Sequence, residues 1–318
     1  MAPPQLIPVA VIFGATACGK TAFAERLFTS SPDKVEIISA DSVQVYRGME
    51  IGSAQPSCEL RAALPHHLIG ICDPWEEFSV ADFMQRADVL CKAIIARGIF
   101  PVILGGTAFY IKHFMYGMPL TPQADPFLRE QLQKRLSQRG AVAMHKELAD
   151  FDPVSAARIH INDEYRILRA HEVYYASGRP LSDFTLSYSY REGFCFCPIF
   201  LNRPRDELYR RIEVRIDEMF AQGLQQEVAQ LVKCGCTADA PAMKAIGYRE
   251  FFELSPDAPA AAPLDAVSAL IKRNSKRYAK RQQTFFQSFP HVHRIDLTDP
   301  ASERIVADIL HRFYKEVQ

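Results

Sequence analysis

Three short groups of residues carry the chemistry open to this chain. Residues 13–21, FGATACGKT, fit G-x-x-x-x-G-K-[ST] from Gly14 through Ala15, Thr16, Ala17, Cys18 and Gly19 to Lys20 and Thr21. In that pattern backbone N–H groups cradle phosphate oxygens, the lysine reaches the outer phosphate and the hydroxyl meets Mg²⁺. The loop follows an apolar run and opens a helix-like segment, AFAERLF, so a helix N-terminus adds its dipole to the cradle. Asp41 closes a second apolar run, VEIISAD. Its carboxylate has three possible uses there: a Mg²⁺ ligand, a general base or a plain helix N-cap. A third run, FPVILGGT, ends in Gly105-Gly106-Thr107 instead of the Asp that often binds Mg²⁺ in an ATPase. A Gly-Gly pair lets a ligand approach the backbone closely.

A fourth group is cationic. In IKRNSKRYAKRQQTFF, Lys272, Arg273, Lys276, Arg277, Lys280 and Arg281 recur in pairs every four residues. At about 100° per residue they cover roughly half of a helix circumference. No acid is interspersed, and Tyr278, Phe285 and Phe286 add aromatic faces. The pattern favours a surface that tracks phosphates and stacks bases over an ordinary solvated face.

The elements that must position these groups alternate. Residues 7–14, 35–41, 100–106 and 196–203 read as buried strands, with helix-period segments between the first three. The expected fold is therefore α/β, a P-loop NTPase-like parallel sheet with helices on both faces. Ligands of such sheets collect at the carboxyl ends of the strands, where Gly14–Thr21, Asp41-Ser42 and Gly105-Gly106-Thr107 all fall. After Gly117 the turn-rich MPLTPQADP leads into charged amphipathic helix from Phe127 to about Ser177, ended by Gly178-Arg179-Pro180. The expected division is a catalytic core over 1–118, an all-helical insertion over 119–192 and core completion with further helices over 193–318. SPDAPAAAPLD near the end reads as a surface loop.

Composition sets limits on these readings. With 318 residues, 48% hydrophobic and 23% charged, the chain can bury a large core, and its 37 basic and 37 acidic residues leave no global field to draw polyanions. Any nucleic-acid surface must come from local clustering. The first residues lack a basic n-region and run straight into the phosphate loop, which marks them as strand and not signal peptide. No apolar stretch is long enough to span a membrane. The eight cysteines include no C-x-x-C pair, which points to reduced cytosolic thiols over a zinc site.

Taken together, these stretches resemble the tRNA dimethylallyltransferase (tRNA isopentenyltransferase, IPP transferase) family over nearly the whole chain. The matching segments are GATACGKT, ADSVQVYRGMEIGSA, HHLI, FSVADF, GGTAFY, DPVSAARIHINDEYRILRAHEVYYASGRPLS, the helix around Arg211 to Arg215, AIGYRE and YAKRQQTFF. The resemblance implies that the loop holds the diphosphate of dimethylallyl diphosphate, with no nucleotide hydrolysed, and that the five-carbon group passes to N6 of the adenosine next to the anticodon in tRNAs reading U-initial codons. It implies Asp41 as the base, Thr107 at the reacting centre, and Lys20, Thr21 and Arg215 on the diphosphate, with Mg²⁺ at Thr21. It implies tRNA contacts at Asp41, Ser42, Val43, Gln44, Thr107, Arg129, Tyr165, Arg166, Arg169, Lys244, Gly247, Arg249, Lys280 and Arg281, with Gln44 reading an adenine edge and the helical insertion gripping the anticodon stem.

Three positions depart from the family pattern: Cys18 for the usual Ser, a possible source of thiol sensitivity, Tyr165 for a common Gln, and Phe285 for a frequent Trp. The sequence stops at Gln318 without the zinc-finger extension of eukaryotic relatives, which implies a bacterial-type cytoplasmic enzyme; a monomer is expected. The alternative readings are an ATP-dependent P-loop kinase of a small metabolite, which leaves the cationic helix unused, and an RNA-binding protein with a regulatory nucleotide site, which needs no catalytic Asp41.

Overall fold

The computed structural model describes residues 6–29, 34–119, 121–122, 125–184 and 188–317. The expected connector MPLTPQADP falls partly outside them, at residues 120, 123 and 124, as do the first five residues. The chain divides into two compact units, Met1–Met115 with Tyr190–Gln318, and Tyr116–Ser189. Both limits fall three residues before the expected 119 and 192.

The larger unit is built on six parallel strands, β1 (Ile7–Gly14), β2 (Val35–Ala40), β3 (His66–His67), β4 (Phe100–Gly105), β5 (Phe194–Asn202) and β6 (His293–Asp296). Their order is β3-β2-β4-β1-β5-β6, with Ala10 opposite Val102 on one side of β1 and Cys197 on the other. The four long strands are those expected, because each is an apolar run long enough to be buried on both faces. β3 and β6 escape a hydrophobicity reading: one has two residues and the other buries only Ile295. A side-chain cluster secures β3. Buried Glu36 on β2 is bonded by Arg97 through two N–H groups at 2.7 Å and paired with His67 at 2.7 Å. The Arg97 guanidinium holds the Glu36 carboxyl below its ordinary range, against the effect of burial.

The cationic segment lies in a helix, Leu264–Gln287, that buries Val267, Ile271, Asn274, Ala279, Gln282 and Phe286. Phe286 packs its ring, tilted, 4.8 Å from that of Phe13 on β1, with Phe200 and Phe289 completing the cluster. Burying one such ring contributes about 2–3 kcal/mol, which ties this helix to the sheet one turn beyond Gln282. The segment SPDAPAAAPLD is not simply a surface loop, since two of its own residues, Pro259 and Ala262, are buried.

The second unit is helical: Pro126–Phe151, interrupted at Gly140 (φ 78°), then Pro153–Arg158 and Glu164–Ser177, which ends on Gly178 in the left-handed conformation. Leu132, Met144, Ile167 and Leu168 form one apolar cluster, and Leu148, Ala156 and Ala170 another. Glu172 is 2% exposed and meets Arg169 at 3.1 Å and Arg129 at 3.5 Å. Arg169 also donates to Thr121 Oγ1 and the Pro122 carbonyl.

Candidate active site

β1 delivers the phosphate loop, and the helix Lys20–Thr29 carries its far end. The turn needs Gly19 at φ 104° and holds Ala17 at φ 60°. Gly14 is required because a Cβ there would meet the Leu201 carbonyl of β5 and sit 2.9 Å from Cys18 Sγ. Two arginines fix the loop from outside: Arg203 Nε donates to Cys18 O at 2.7 Å and Arg211 Nε to Ala17 O at 2.9 Å. Cys18 is 1% exposed, so the thiol sensitivity expected of it finds no accessible sulfur.

The loop opens on a cavity of about 950 Å³ in the larger unit. Thr16, Ala17, Gly19, Lys20 and Thr21 line it, whereas Gly14, Ala15 and Cys18 build the turn behind. Asp41, Ser42, Val43, Gln44 and Thr107 line it from the ends of β2 and β4. Arg215, Lys244, Gly247, Arg249 and Arg281 complete the wall; Lys280 does not line it.

Two of its cations, Lys20 and Arg215, are held by neutral oxygens. Lys20 Nζ donates to Gly14 O at 3.1 Å and Ala15 O at 3.0 Å. Arg215 reaches only Thr16 Oγ1 and Ser53 O, each at 3.5 Å, the limit of a hydrogen bond. Among the described residues neither makes an ion pair. Burial pushes the Arg215 guanidinium down and the Asp41 charge opposes it; a guanidinium stays protonated in either case.

Asp41 both caps and faces the cavity. Its Oδ1 accepts from Val43 N at 2.9 Å and Gln44 N at 3.2 Å, which fixes the carboxylate, and no described residue donates to Oδ2. Thr107 Oγ1 accepts from Ser42 N at 2.9 Å and donates to Ser42 Oγ at 3.3 Å, locking the end of β4 to that of β2. Tyr278, on the cavity wall, has its phenol pushed up to about 12 by burial and then by the Asp41 charge.

Gly105, Gly106 and Gln44 line the cavity and also have partners within the chain. A Cβ on Gly105 would run into the Ala40 backbone, and one on Gly106 would lie 2.9 Å from Gln282 Nε2. The Gln44 amide accepts from Ser39 Oγ and donates to Ser53 O and Ala54 O, which shapes the 51–54 loop. Glu227 holds the same loop by accepting from Ile51 N, Gly52 N and the Tyr248 hydroxyl.

Sequence reasoning missed Gln282, Glu227, Arg203 and Arg211. The signal for Gln282 was present: it is a polar residue in the apolar stripe Ile271, Ala279, Phe286. Of the cationic stripe, Lys272 is paired with Asp217 and Lys276 with Glu213 on the neighbouring helix Arg205–Gln222. Arg273, Arg277, Lys280 and Arg281 are exposed and make no ion pair among the described residues. Gly247 N donates to Glu250 Oε2, and Arg249 pairs with Glu250 and Glu253. Arg129, Tyr165, Arg166 and Arg169 belong to the helical unit; Arg129 lies 5.7 Å from the Tyr165 ring, and Arg166 pairs with Asp163.

Comparison with known proteins converges on one family. A family model described as IPP transferase matches residues 44–289, and one described as isopentenyl transferase matches residues 7–63. A tRNA dimethylallyltransferase of Geobacter sulfurreducens is 40% identical over 305 residues, covering 96% of each chain. Another, from Alkaliphilus metalliredigens, is 40% identical over 95% of this chain and 96% of its own. The crystal structure of the full-length tRNA isopentenylpyrophosphate transferase of Bacillus halodurans matches with a TM-score of 0.70 at 34% identity, covering 98% of both chains.

Proposed function

The chain belongs to the IPP transferase family, and we propose that it moves the dimethylallyl group of dimethylallyl diphosphate to N6 of the adenosine that follows the anticodon of tRNA. The observation that carries this reading is the pairing of Lys20 and Arg215, two cations bonded only to neutral oxygens, with the fixed carboxylate of Asp41 in one cavity. A small-metabolite kinase, the other use of such a loop, is not favoured by the family match.

The chemistry follows from those groups. The N6 lone pair forms a bond to the allylic carbon as the C–O bond breaks, and the diphosphate leaves with the electron pair. Lys20, Arg215 and the loop amides meet the charge that grows on it, which is electrostatic stabilisation of the transition state. Asp41 Oδ2 takes the N6 proton while Oδ1 stays held by two amides. An adenine inside a stacked helix cannot reach this cavity, so the base must be extruded into it. The hydroxyl of Thr21, a hard oxygen on the cavity wall, would hold a Mg²⁺ ion. No three His, Cys, Asp or Glu gather into a metal site among the described residues. When bound, the ion would neutralise part of the leaving-group charge.

Arg281 and Lys280 on the cationic helix and Lys244 at the cavity mouth meet the RNA backbone, and exposed Tyr165 and Arg166 on the helical unit grip the anticodon stem. Arg129 and Arg169 are tied to Glu172 and serve that grip by shaping the unit. We place the enzyme in the cytoplasm as a monomer; among the described residues no helix is long and apolar enough to cross a membrane.

The test is one assay: unmodified tRNA, Mg²⁺ and labelled dimethylallyl diphosphate, with and without ATP. Label should enter tRNA without ATP. Transfer that needs ATP, or none at all, would overturn the reading.

A further inference from the structure

We propose that Glu227, which stands outside the active-site cavity, is a positioning residue for Arg215 and acts on it through the loop of residues 51–54. This role rests on the diphosphate-donor reading above, in which Arg215 meets the leaving group.

Arg215 is held loosely. Its two acceptors among the described residues are Thr16 Oγ1 and Ser53 O, each at 3.5 Å. The first belongs to the phosphate loop, and the second to residues 51–54, of which Gly52, Ser53 and Ala54 line the cavity. Hydrogen bonds at that length weaken steeply with further distance or tilt, so a small displacement of the Ser53 carbonyl either captures the guanidinium or lets it go. The same loop carries the acceptors of the Gln44 amide, Ser53 O at 3.4 Å and Ala54 O at 3.1 Å.

The loop's own bonds give it shape: Ala54 N donates to Ile51 O at 3.0 Å and Gln55 N to Glu50 O at 2.9 Å. They do not give it a place. The active-site cavity lies on one side, and Ile51 faces a second cavity of about 890 Å³ on the other, with Trp75, Phe220 and Glu227 also in its wall. The anchor comes from Glu227 on the helix Leu224–Lys233. Its Oε2 accepts from Ile51 N at 2.7 Å, and its Oε1 accepts from Gly52 N at 3.0 Å and from the Tyr248 hydroxyl at 2.7 Å. Tyr248 is fully buried and backs Gly52 so closely that a Cβ there would fall 2.5 Å from its hydroxyl oxygen.

Three donors thus converge on two oxygens, an arrangement that an ionised carboxylate satisfies completely. A glutamine in the same place has one acceptor oxygen and turns its NH₂ group against a donor, leaving one loop amide unpaired. The loop would then shift toward open space, and the Ser53 carbonyl would move with it.

The experiment measures transfer from labelled dimethylallyl diphosphate to unmodified tRNA for Glu227→Gln in the wild-type and Arg215→Ala backgrounds, with tRNA affinity and circular dichroism alongside. In the wild-type background the substitution should lower kcat/KM for the donor by about tenfold with tRNA affinity unchanged. In the Arg215→Ala background it should cost less than about twofold, because the residue it acts through is gone. A merely structural role removes the same factor from both. Glu227→Asp keeps the carboxylate but withdraws it by one methylene; it should fall between, and it carries the same cycle if the glutamine variant does not fold. Equal losses in the two backgrounds, or wild-type kinetics in both variants, overturn the proposal. Absence of transfer by the wild-type protein would overturn the donor reading itself, whereas normal wild-type transfer with additive losses removes the role of Glu227 alone.

Discussion

Arg215 in the larger unit and the pair Arg129 and Arg169 in the helical unit do opposite work. In the larger one, Arg215 faces a cavity with hydrogen bonds at their limiting length and no ion pair among the described residues. In the helical unit, Arg129 and Arg169 close on the buried carboxylate of Glu172. The physical difference lies in the counter-charge. A buried guanidinium without a carboxylate keeps its field for an incoming anion, while one beside a buried carboxylate has spent it on neutralising that group. The same residue type therefore marks a binding site in one place and a fold constraint in the other.

The largest test of that contrast removes the group that works against the cations. Asp41→Asn keeps the shape and the amide contacts of Oδ1 but loses basicity, and single-turnover transfer should fall by about 10²- to 10⁴-fold with tRNA affinity little changed. Recovery as Mg²⁺ is raised would make Asp41 a metal ligand instead. Next, Arg215→Ala should lower kcat by about 10²- to 10³-fold, the usual loss for one anion-stabilising donor, and Lys20→Ala should both raise KM and lower kcat. A change in KM alone would show that these cations bind the ground state without helping the transition state.

The paired arginines predict a different phenotype. Glu172→Ala leaves two cations without their partner and should destabilise the helical unit by about 3 kcal/mol, the low end for a broken buried pair because both arginines are partly open to water. Amide exchange in residues 126–177 should speed up while dimethylallyl diphosphate binding holds. Loss of diphosphate binding in that variant would erase the division of labour between the units.

Within the cationic helix the contrast sharpens further. Changing Arg277 and Lys280 together to Ala should reduce the salt dependence of tRNA binding by about one unit of slope for each side chain. Changing Lys272 and Lys276, which are held by Asp217 and Glu213, should reduce it less. Equal effects would mean that the ion pairs open on binding.

The smallest effect concerns acid stability. Glu36 is depressed by its bond to Arg97, so its contribution is complete above the ordinary value of 4.5 and is lost as pH falls through the lower folded value. Arg97→Ala should move the acid-unfolding midpoint upward. A midpoint that stays put would show the pair to be structurally neutral.

Much of the site could be read from local pattern because its chemistry is carried by short contiguous runs. Gly14–Thr21 needs a strand before it and a helix after it, and both are encoded in neighbouring residues. Asp41 was visible as a carboxylate at the end of an apolar run. Such runs also fixed the four long strands, since burial on both faces demands continuous apolar sequence. What they could not show is which polar groups spend their hydrogen bonds on each other. Gln44 has the atoms to read a base, and Ser39, Ser53 and Ala54 already engage them. The glycines at 105 and 106 line the cavity and are also packed by Ala40 and Gln282. Two strands of two and four residues, β3 and β6, left no periodic trace because pairing with a formed sheet, and not their own hydrophobicity, holds them in place.

The sequence by itself thus determined the four long strands, the phosphate loop and the family, because each depends on residues close together in the chain. Only the tertiary structure decided which cations are free, which amides are spent and what stands beside Lys20. Those depend on partners that folding brings from far away, as Gln282 is brought to Thr16, and a hydrogen bond has no signature in sequence until both of its ends are in place.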